Sequence, residues 1–247
     1  MIPFRDNIRS GHFPVVSVAI ILACVAVFLV QLISPGGGQA WAFRPSMLRL
    51  GSGTALLDAL GALIMSMFMH GGVMHIAGNM LFLWVFGDNV EDRMGHVKYL
   101  LFYLGAGIVA TLAHALISGF SEVPIVGASG AIAGVLGAYF VLFPHARVRT
   151  LIFLLFFVTV VDLPAPVFLV YWFVIQLFHG VGSIGLDSGV AYAAHIGGFA
   201  AGYLVGRLAI GRGGPPPPPS ADRRDYYYRP RPPSPPRPPR ITRLRIE

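Results

Sequence analysis

Charge is scarce in this 247-residue chain. Only 12% of its residues are charged, whereas a soluble globular domain carries about 25%. So little charge cannot cover a water-facing surface, which excludes an ordinary cytosolic enzyme. Because 55% of the residues are apolar, disorder of the whole chain is excluded as well. The single cysteine, Cys24, permits no intrachain disulfide and is interpreted as a small core residue. The composition therefore indicates a membrane protein.

Six apolar segments are long enough to be helices that cross about 30 Å of hydrocarbon. We predict spans at Pro14–Ile33, Gly72–Val90, Val97–Ser118, Ile125–Phe143, Leu163–His179 and Val190–Ile210. Ala55–Met69 is predicted to lie at the membrane surface, Leu151–Val161 to be interfacial or partly buried, and Asp162 to mark a turn. The predicted fold is an all-α bundle of six transmembrane helices over residues 14–210, after a cytoplasmic N-terminus at residues 1–13.

The basic residues of the chain are sorted between the two sides of this topology. With the N-terminus inside, the cytoplasmic segments hold sixteen basic residues, and the outer loops hold two, Arg44 and Arg49. Lysine and arginine are enriched in cytoplasmic loops. The sequence therefore predicts that the N- and C-termini are both cytoplasmic.

Strongly polar residues inside a membrane span are costly and point to a function, and those near the start of three predicted spans stand out. His75 and Asn79 lie in the second span, Ser129 in the fourth and His195 in the sixth. These three spans all run from the outer to the inner face. At 1.5 Å per residue, all four side chains are expected about 5–10 Å below the outer face.

Small residues recur near two of these polar positions and predict close helix packing. They are Gly130 and Gly134 in the fourth span and Gly198, Gly202 and Gly206 in the sixth. If these spans pack through their glycines, Ser129 and His195 come within hydrogen-bond reach. A hydroxyl beside an imidazole base is the minimum arrangement for nucleophilic catalysis. His75, Asn79 and the Ser129 backbone N–H would then supply donors to a developing oxyanion.

Each of these features also has a structural interpretation when it is taken alone. A serine in a glycine-rich membrane helix is usually a packing residue, and an intramembrane histidine often serves structure or an ion pathway. A transporter that uses its histidines is therefore the alternative from another class. The chain has no HExxH motif and no pair of intramembrane aspartates, so neither zinc nor aspartyl chemistry is indicated. We predict no metal and no cofactor.

The three polar strings resemble those of the rhomboid intramembrane serine proteases. The family's GxSG string is Gly127-Ala128-Ser129-Gly130, its HxxxN pattern runs from His75 to Asn79, and its AHxxG string is Ala194-His195-Ile196-Gly197-Gly198. The resemblance implies a serine endopeptidase that cleaves transmembrane segments of membrane proteins near the outer face of a bacterial inner membrane. Ser129 would be the nucleophile and His195 the base of a dyad. His75, Asn79 and the Ser129 amide would form the oxyanion site.

The resemblance extends to some flanking segments and departs from the family pattern in two places: two residues separate Trp41 from Arg44, which are usually adjacent in the family, and Ala133 is unusual. It implies a cap at Val181–Gly189, a lateral gate at the fifth span and a first loop at Gln39–Leu60. Ala133 stands where many relatives carry an aromatic ring beneath the histidine, so the resemblance does not cover how His195 is held. A non-catalytic rhomboid-like binder of membrane helices is the second alternative.

The composition changes at residue 211. Residues 211–247 contain nine arginines, three acidic residues and twelve of the chain's 20 prolines. This composition favours extended, disordered structure. Anionic lipid is the favoured partner of this tail, with a proline-recognising protein or no partner as alternatives. Nucleic acid is disfavoured because no folded reader domain accompanies the arginines.

Overall fold

The structure is a computed structural model that describes residues 1–49, 56–154, 157–182 and 192–210. This part of the chain is mostly helical. Its α-helices are α1 (Val15–Ile33), α2 (Leu56–Ser66), α3 (Val73–Met94), α4 (His96–Ile117), α5 (Ser129–Leu142), α6 (Ala165–Gly182) and α7 (Tyr192–Ile210). Two short 3₁₀ helices, Pro35–Trp41 and Pro45–Leu48, follow α1. The predicted tail lies outside the described residues.

A helix occupies each of the six predicted spans, and α2 occupies the shorter piece predicted at the membrane surface. In the fourth predicted span, helix α5 begins at Ser129 and not near Ile125. Ile125 forms a β-bridge with Phe43, and Gly127 has a φ of 129°. By length and composition, α1 and α4 are the described helices that are long and apolar enough to cross a membrane. The count of six spans stays a prediction.

A three-stranded antiparallel sheet departs from the all-α prediction. Strand β1 (Ile2–Asp6) pairs with β2 (Arg147–Leu154), which pairs in turn with β3 (Phe157–Pro164). The prediction of a turn at Asp162 is wrong. Asp162 lies in β3 opposite Arg149, whose Nε donates to the Asp162 carboxylate over 2.8 Å.

Local composition explains why these residues form strands. From Thr150 to Val161 the described positions are almost all β-branched, leucine or aromatic, and such side chains fit a pleated surface well. The length of an apolar run does not distinguish a strand from a short helix, so these strands were not predicted. Phe153 and Phe157, near the tip of the hairpin, are exposed. Contact between this hairpin and the membrane surface stays a prediction.

Helix α5 is the centre of the bundle, since twelve of its 14 residues are buried. Its glycines let neighbouring helices approach to backbone contact. A Cβ atom added to Gly137 would lie 2.1 Å from the Phe199 carbonyl oxygen, and one added to Gly134 would lie 2.5 Å from the Ala106 Cβ. Helices α4 and α7 therefore pack directly on α5, and the first turn of α5 is held between them.

The end of α3 anchors the start of α1 from the opposite side of the bundle. Glu91 is 1% exposed. Its carboxylate accepts the backbone N–H groups of Val16 and Ser17 and the Ser17 hydroxyl, each over 2.8 Å. These amides belong to the first turn of α1, where backbone N–H groups have no partner within the helix. A carboxylate is also favourable at the positive end of the helix dipole.

The N-terminal strand is joined to the bundle through a buried carboxyl group. Asp6, the last residue of β1, accepts hydrogen bonds from the Asn89 side-chain amide over 2.8 Å and from the Tyr139 hydroxyl. Burial raises the pKa of Asp6 to about 7, and the hydrogen bond from Tyr139 offsets only part of that rise. The sheet is thereby connected to both α3 and α5.

Candidate active site

Three predicted site residues lie at the same end of three neighbouring helices. His75 is the third residue of α3, Ser129 the first of α5 and His195 the fourth of α7. Backbone N–H groups in the first turn of a helix have no partner in that helix. The amide of Ser129 is therefore positioned as a donor that the helix itself does not use.

The backbone before Ser129 requires glycine. Gly127 has a φ of 129°, a conformation that other residues rarely adopt. A Cβ added there would lie 2.9 Å from both Cε1 and Nε2 of His75. The Gly127 N–H donates to the Ser66 carbonyl over 2.9 Å, which fixes the turn against the end of α2. The predicted supporting role of Gly127 thus has a physical basis in both its dihedral angle and its neighbour.

The glycines of α5 and α7 bring the two helices together. A Cβ added to Gly198 would lie 2.1 Å from the carbonyl oxygen of Gly130, and one added to Gly202 would lie 1.8 Å from that of Gly134. Both contacts are with backbone atoms, so no rotation of a side chain could relieve them. The close packing predicted from the glycine spacing is present at these four positions and at Gly206, where an added Cβ would lie 3.1 Å from the Ala138 Cα and carbonyl oxygen.

Ser129 and His195 lie next to this helix contact and are hydrogen-bonded to each other. The Ser129 Oγ lies 2.8 Å from the His195 Nε2, which is the ordinary length of a hydrogen bond. Both side chains are partly buried. With the hydroxyl donating to Nε2, the serine is held beside a group that can take its proton.

The second ring nitrogen of His195 has a partner that the sequence analysis missed. Gln176 lies on α6, and its Oε1 is 2.6 Å from the His195 Nδ1. The rings of Trp172 and Tyr192 lie 6.0 Å and 6.1 Å from the imidazole, centroid to centroid. Gln176 could have been found by the criterion used for Asn79, since it is an amide inside an otherwise apolar span.

Asn79 provides a buried donor without a partner. The residue is 8% exposed, and its Nδ2 makes no hydrogen bond in the described part of the chain. An unpaired buried amide N–H₂ group costs free energy, so its retention needs an explanation. A transient oxyanion at the site would be such a partner. His75 lies one turn earlier on α3, with its Nδ1 accepting from the Gly71 N–H over 3.3 Å.

The structure covers the flanking predictions unevenly. The predicted cap, Val181–Gly189, lies almost wholly outside the described residues, because its first two positions end α6 and residues 183–191 are not described. The predicted first loop is described except at residues 50–55, and it contains the second 3₁₀ helix and the first five residues of α2. No cluster of three or more metal-ligating side chains occurs within the described ranges.

The sequence profile of the Rhomboid domain matches residues 58–212, well over half of the chain. The chain belongs to the rhomboid family. The resemblance predicted from the three polar strings is therefore confirmed, and with it the embedding of the protein in a membrane.

Individual rhomboid relatives agree with this assignment. The chain is 31% identical over 150 residues to Rhomboid protein 1, mitochondrial, of Saccharomyces cerevisiae, which covers 59% of this chain and 40% of the yeast protein. It is 45% identical over 76 residues to Rhomboid protease GluP of Bacillus subtilis, and this match covers 31% of this chain and 14% of GluP. It is 33% identical over 126 residues to Rhomboid protease GlpG of Klebsiella pneumoniae, and this match covers 49% of this chain and 38% of GlpG. The chain thus spans less than half the length of each of these relatives.

Proposed function

We propose that this rhomboid is an intramembrane serine endopeptidase in which Ser129 is the nucleophile and His195 the general base. The observation that carries the proposal is the 2.8 Å separation of the Ser129 Oγ and the His195 Nε2. A family name alone would not be enough, because rhomboids include members without protease activity. Similarity to the two proteases GluP and GlpG adds support.

The proposed reaction follows from the two side chains. As the Ser129 oxygen attacks the scissile carbonyl carbon, its proton passes to the His195 Nε2. The tetrahedral intermediate collapses when the peptide nitrogen takes that proton and leaves as an amine, and the acyl group stays on Ser129. A water molecule then attacks the ester while His195 again accepts the proton. This second step releases the acid and restores the serine.

The negative charge of the tetrahedral intermediate needs donors that are already in position. We assign this role to the Ser129 backbone N–H, the Asn79 side-chain amide and His75. The support is the unpaired, buried Nδ2 of Asn79 and the His75 ring edge packed against Gly127, two residues before the serine. In many enzymes, preorganised donors in a site of low dielectric make the largest single contribution to the rate enhancement, because they stabilise the charge that develops in the transition state.

The proposed substrates are transmembrane segments of other membrane proteins. A helix satisfies its own carbonyl groups with internal hydrogen bonds, so a substrate helix must unwind locally before Ser129 can attack. We expect small or helix-weakening residues near the cleavage point. The site lies at the helix ends that we place near the outer face of the membrane, where water can reach the acyl-enzyme.

The remaining assignments extend the same proposal. We place the protein in a bacterial inner membrane with both termini cytoplasmic, on the strength of the sorted basic residues. Residues 14–210 would form the peptidase domain, residues 1–13 the cytoplasmic N-terminus and residues 211–247 a cytoplasmic tail on anionic lipid. Deletion of Gly214–Glu247 is expected to reduce sedimentation with phosphatidylglycerol vesicles while leaving cleavage in detergent unchanged. Loss of cleavage would contradict this division.

An activity-based fluorophosphonate probe tests the central proposal. The native protein should be labelled, and Ser129→Ala and His195→Ala should not be. Ser118→Ala and His145→Ala are matched controls, because Ser118 bonds only to a carbonyl of its own helix and His145 is exposed. Both controls should be labelled like the native protein.

Cleavage of a reconstituted transmembrane substrate completes the test, with the product masses giving the cleaved bond. If a well-folded native protein is neither labelled nor active, the proposal fails. The chain would then be a non-catalytic binder of membrane helices or a transporter.

A further inference from the structure

Helix α6 presents two side chains to the imidazole of His195. Gln176 Oε1 is 2.6 Å from Nδ1, and the Trp172 ring lies 6.0 Å away at an interplanar angle of 40°. These two residues are four apart, so they share one face of α6. The same face therefore supplies both a polar and an aromatic contact to one residue of α7.

The contact with Gln176 selects one form of the imidazole. A neutral histidine carries a proton on only one of its ring nitrogens, and a carbonyl oxygen can only accept. With Oε1 facing Nδ1, the proton resides on Nδ1. The lone pair of Nε2 is then directed at the Ser129 hydroxyl, which is the arrangement that a general base requires.

We propose that Gln176 is a positioning residue, which fixes the tautomer and the ring orientation of His195 through its side-chain oxygen. The inference rests on the proposed function, because the orientation matters only if His195 acts as a base. In the serine proteases used as the general template, a buried aspartate performs this task. Here a neutral amide on α6 would perform it.

The surroundings of His195 explain why the support comes from α6. On α5, the residue one turn after Ser129 is Ala133, which is fully buried and has no side chain long enough to hold a ring. Its methyl group lies 3.3 Å from the position that a Cβ on Gly198 would occupy, so α5 and α7 are already in contact there. A larger side chain at residue 133 would push the two helices apart.

An amide also suits the surroundings better than a carboxylate would. Transfer of an ionised carboxylate into an apolar environment costs far more free energy than transfer of an amide that keeps its hydrogen bond. The neighbours of Gln176 on α6 are apolar, and Trp172 covers the imidazole from the same helix. A neutral acceptor orients the ring without placing a charged carboxylate beside it.

Nitrogen-15 spectroscopy of histidine-labelled protein tests the contact without relying on activity. The His195 signals are assigned by their loss in His195→Ala. In the native protein, Nδ1 should show the shift of a protonated nitrogen and Nε2 that of an unprotonated one. In Gln176→Met, which keeps the length of the side chain but removes the acceptor oxygen, the two tautomers should mix. A native spectrum with the proton on Nε2 would overturn the proposal.

Kinetics with the same variants test the consequence for the reaction. Gln176→Met should lower kcat about tenfold to a hundredfold, which is the range expected for losing one hydrogen bond to a group that becomes charged. The KM should change little, because Gln176 is assigned no contact with substrate. Gln176→Glu keeps an acceptor, so it should restore most of the rate. Its acidic limb in the pH profile of kcat/KM should move to higher pH, because a carboxylate stabilises the imidazolium.

Two controls separate a positioning role from a general effect on folding. Gln39→Met makes the same exchange at an exposed position and should leave kcat unchanged. Thermal unfolding of each variant in detergent shows whether the fold is retained. If Gln176→Met and Gln176→Glu both keep the native kcat and pH profile, Gln176 is only a packing residue. A purely structural role is also indicated if both variants lose activity and stability together.

Failure of the proposed function would give a different pattern. In that case the native protein neither cleaves nor reacts with the fluorophosphonate probe, although the tautomer measurement can still show the proton on Nδ1. The Gln176 contact would then be real, and its role in positioning a base would be overturned together with the protease assignment.

Discussion

Helices α5 and α7 touch through backbone atoms next to Ser129 and within one turn of His195, and a single methyl group there should disable the proposed site. A Cβ added to Gly198 would lie 2.1 Å from the Gly130 carbonyl oxygen, whereas ordinary contacts begin at 3.4 Å. Gly198→Ala therefore requires the two backbones to separate by about 1.3 Å, since neither atom belongs to a side chain that can rotate away.

This displacement is transmitted directly to the proposed nucleophile and base. Gly130 follows Ser129 in the chain, and Gly198 lies three residues after His195, on the same face of α7. A separation of 2.8 Å between Oγ and Nε2 would grow to about 4 Å, beyond hydrogen-bond range. Misplacement by about 1 Å can cost on the order of a hundredfold in rate, so we expect kcat to fall by about that factor. Overpacking should also cost roughly 1–3 kcal/mol of stability.

The assay is cleavage of a transmembrane substrate in proteoliposomes, with kcat and KM determined separately. Gly105→Ala is the matched control, because it makes the same exchange inside α4 where a Cβ would meet nothing within 4 Å. Thermal unfolding and the elution profile in detergent identify any variant that has not folded. A folded Gly198→Ala that cleaves at the rate of Gly105→Ala would refute the argument that this backbone contact sets the distance between Ser129 and His195.

Three further predictions concern single side chains. Asn79→Ala should lower kcat about 10²–10³-fold, as expected for loss of an oxyanion donor. The unfolding temperature should not fall, because the Asn79 Nδ2 has no partner in the described structure. An unchanged rate would remove Asn79 from the site. Glu91→Gln should lower the free energy of unfolding by about 2–3 kcal/mol, because a buried carboxylate that accepts several N–H groups is lost. Asp58→Asn, on the exposed side of α2, is the control and should leave the free energy of unfolding unchanged. Burial raises the pKa of Asp6 in the folded protein to about 7, well above the ordinary value of an aspartate, so the folded protein keeps a proton that the unfolded chain releases. Stability should therefore fall as the pH rises from about 4 to about 7, and thermal scans should show a smaller fall in Asp6→Asn; an identical pH dependence in the two proteins would contradict this assignment.

The helical part of the fold and the contact between two site residues could be predicted because both have local sequence signals. Apolar runs of about 20 residues mark membrane helices, and glycines four apart mark a face that another helix can approach closely. Gly198 and Gly202 carried that signal on α7, and the structure brings their backbone against Gly130 and Gly134. The start of the fourth span was less well predicted, because residues 125–128 are not helical and Ser129 is the first residue of α5.

The sheet could not be predicted by the same reasoning. Its first strand pairs Ile2 with Leu151, and no local pattern links residues so distant in the sequence. The hairpin of β2 and β3 lacks the alternation of polar and apolar residues that marks a half-buried strand. Gln176 was missed for a different reason. An amide inside an apolar span marks Gln176 as a candidate, but which neighbour it contacts depends on the packing of α6 against α7, and that packing has no local sequence signal.

The pairing of β1 with β2 constrains the order in which this protein can be assembled. Residues 2–6 leave the ribosome about 145 residues before their partner strand, and α1 to α5 lie between the two in the chain. Because synthesis proceeds at about 5–20 residues per second, β1 must wait roughly 7–29 seconds as an unpaired edge while those helices are made. Closure of the sheet is thus a late event in biogenesis, because it can occur only after all five intervening helices have been synthesised.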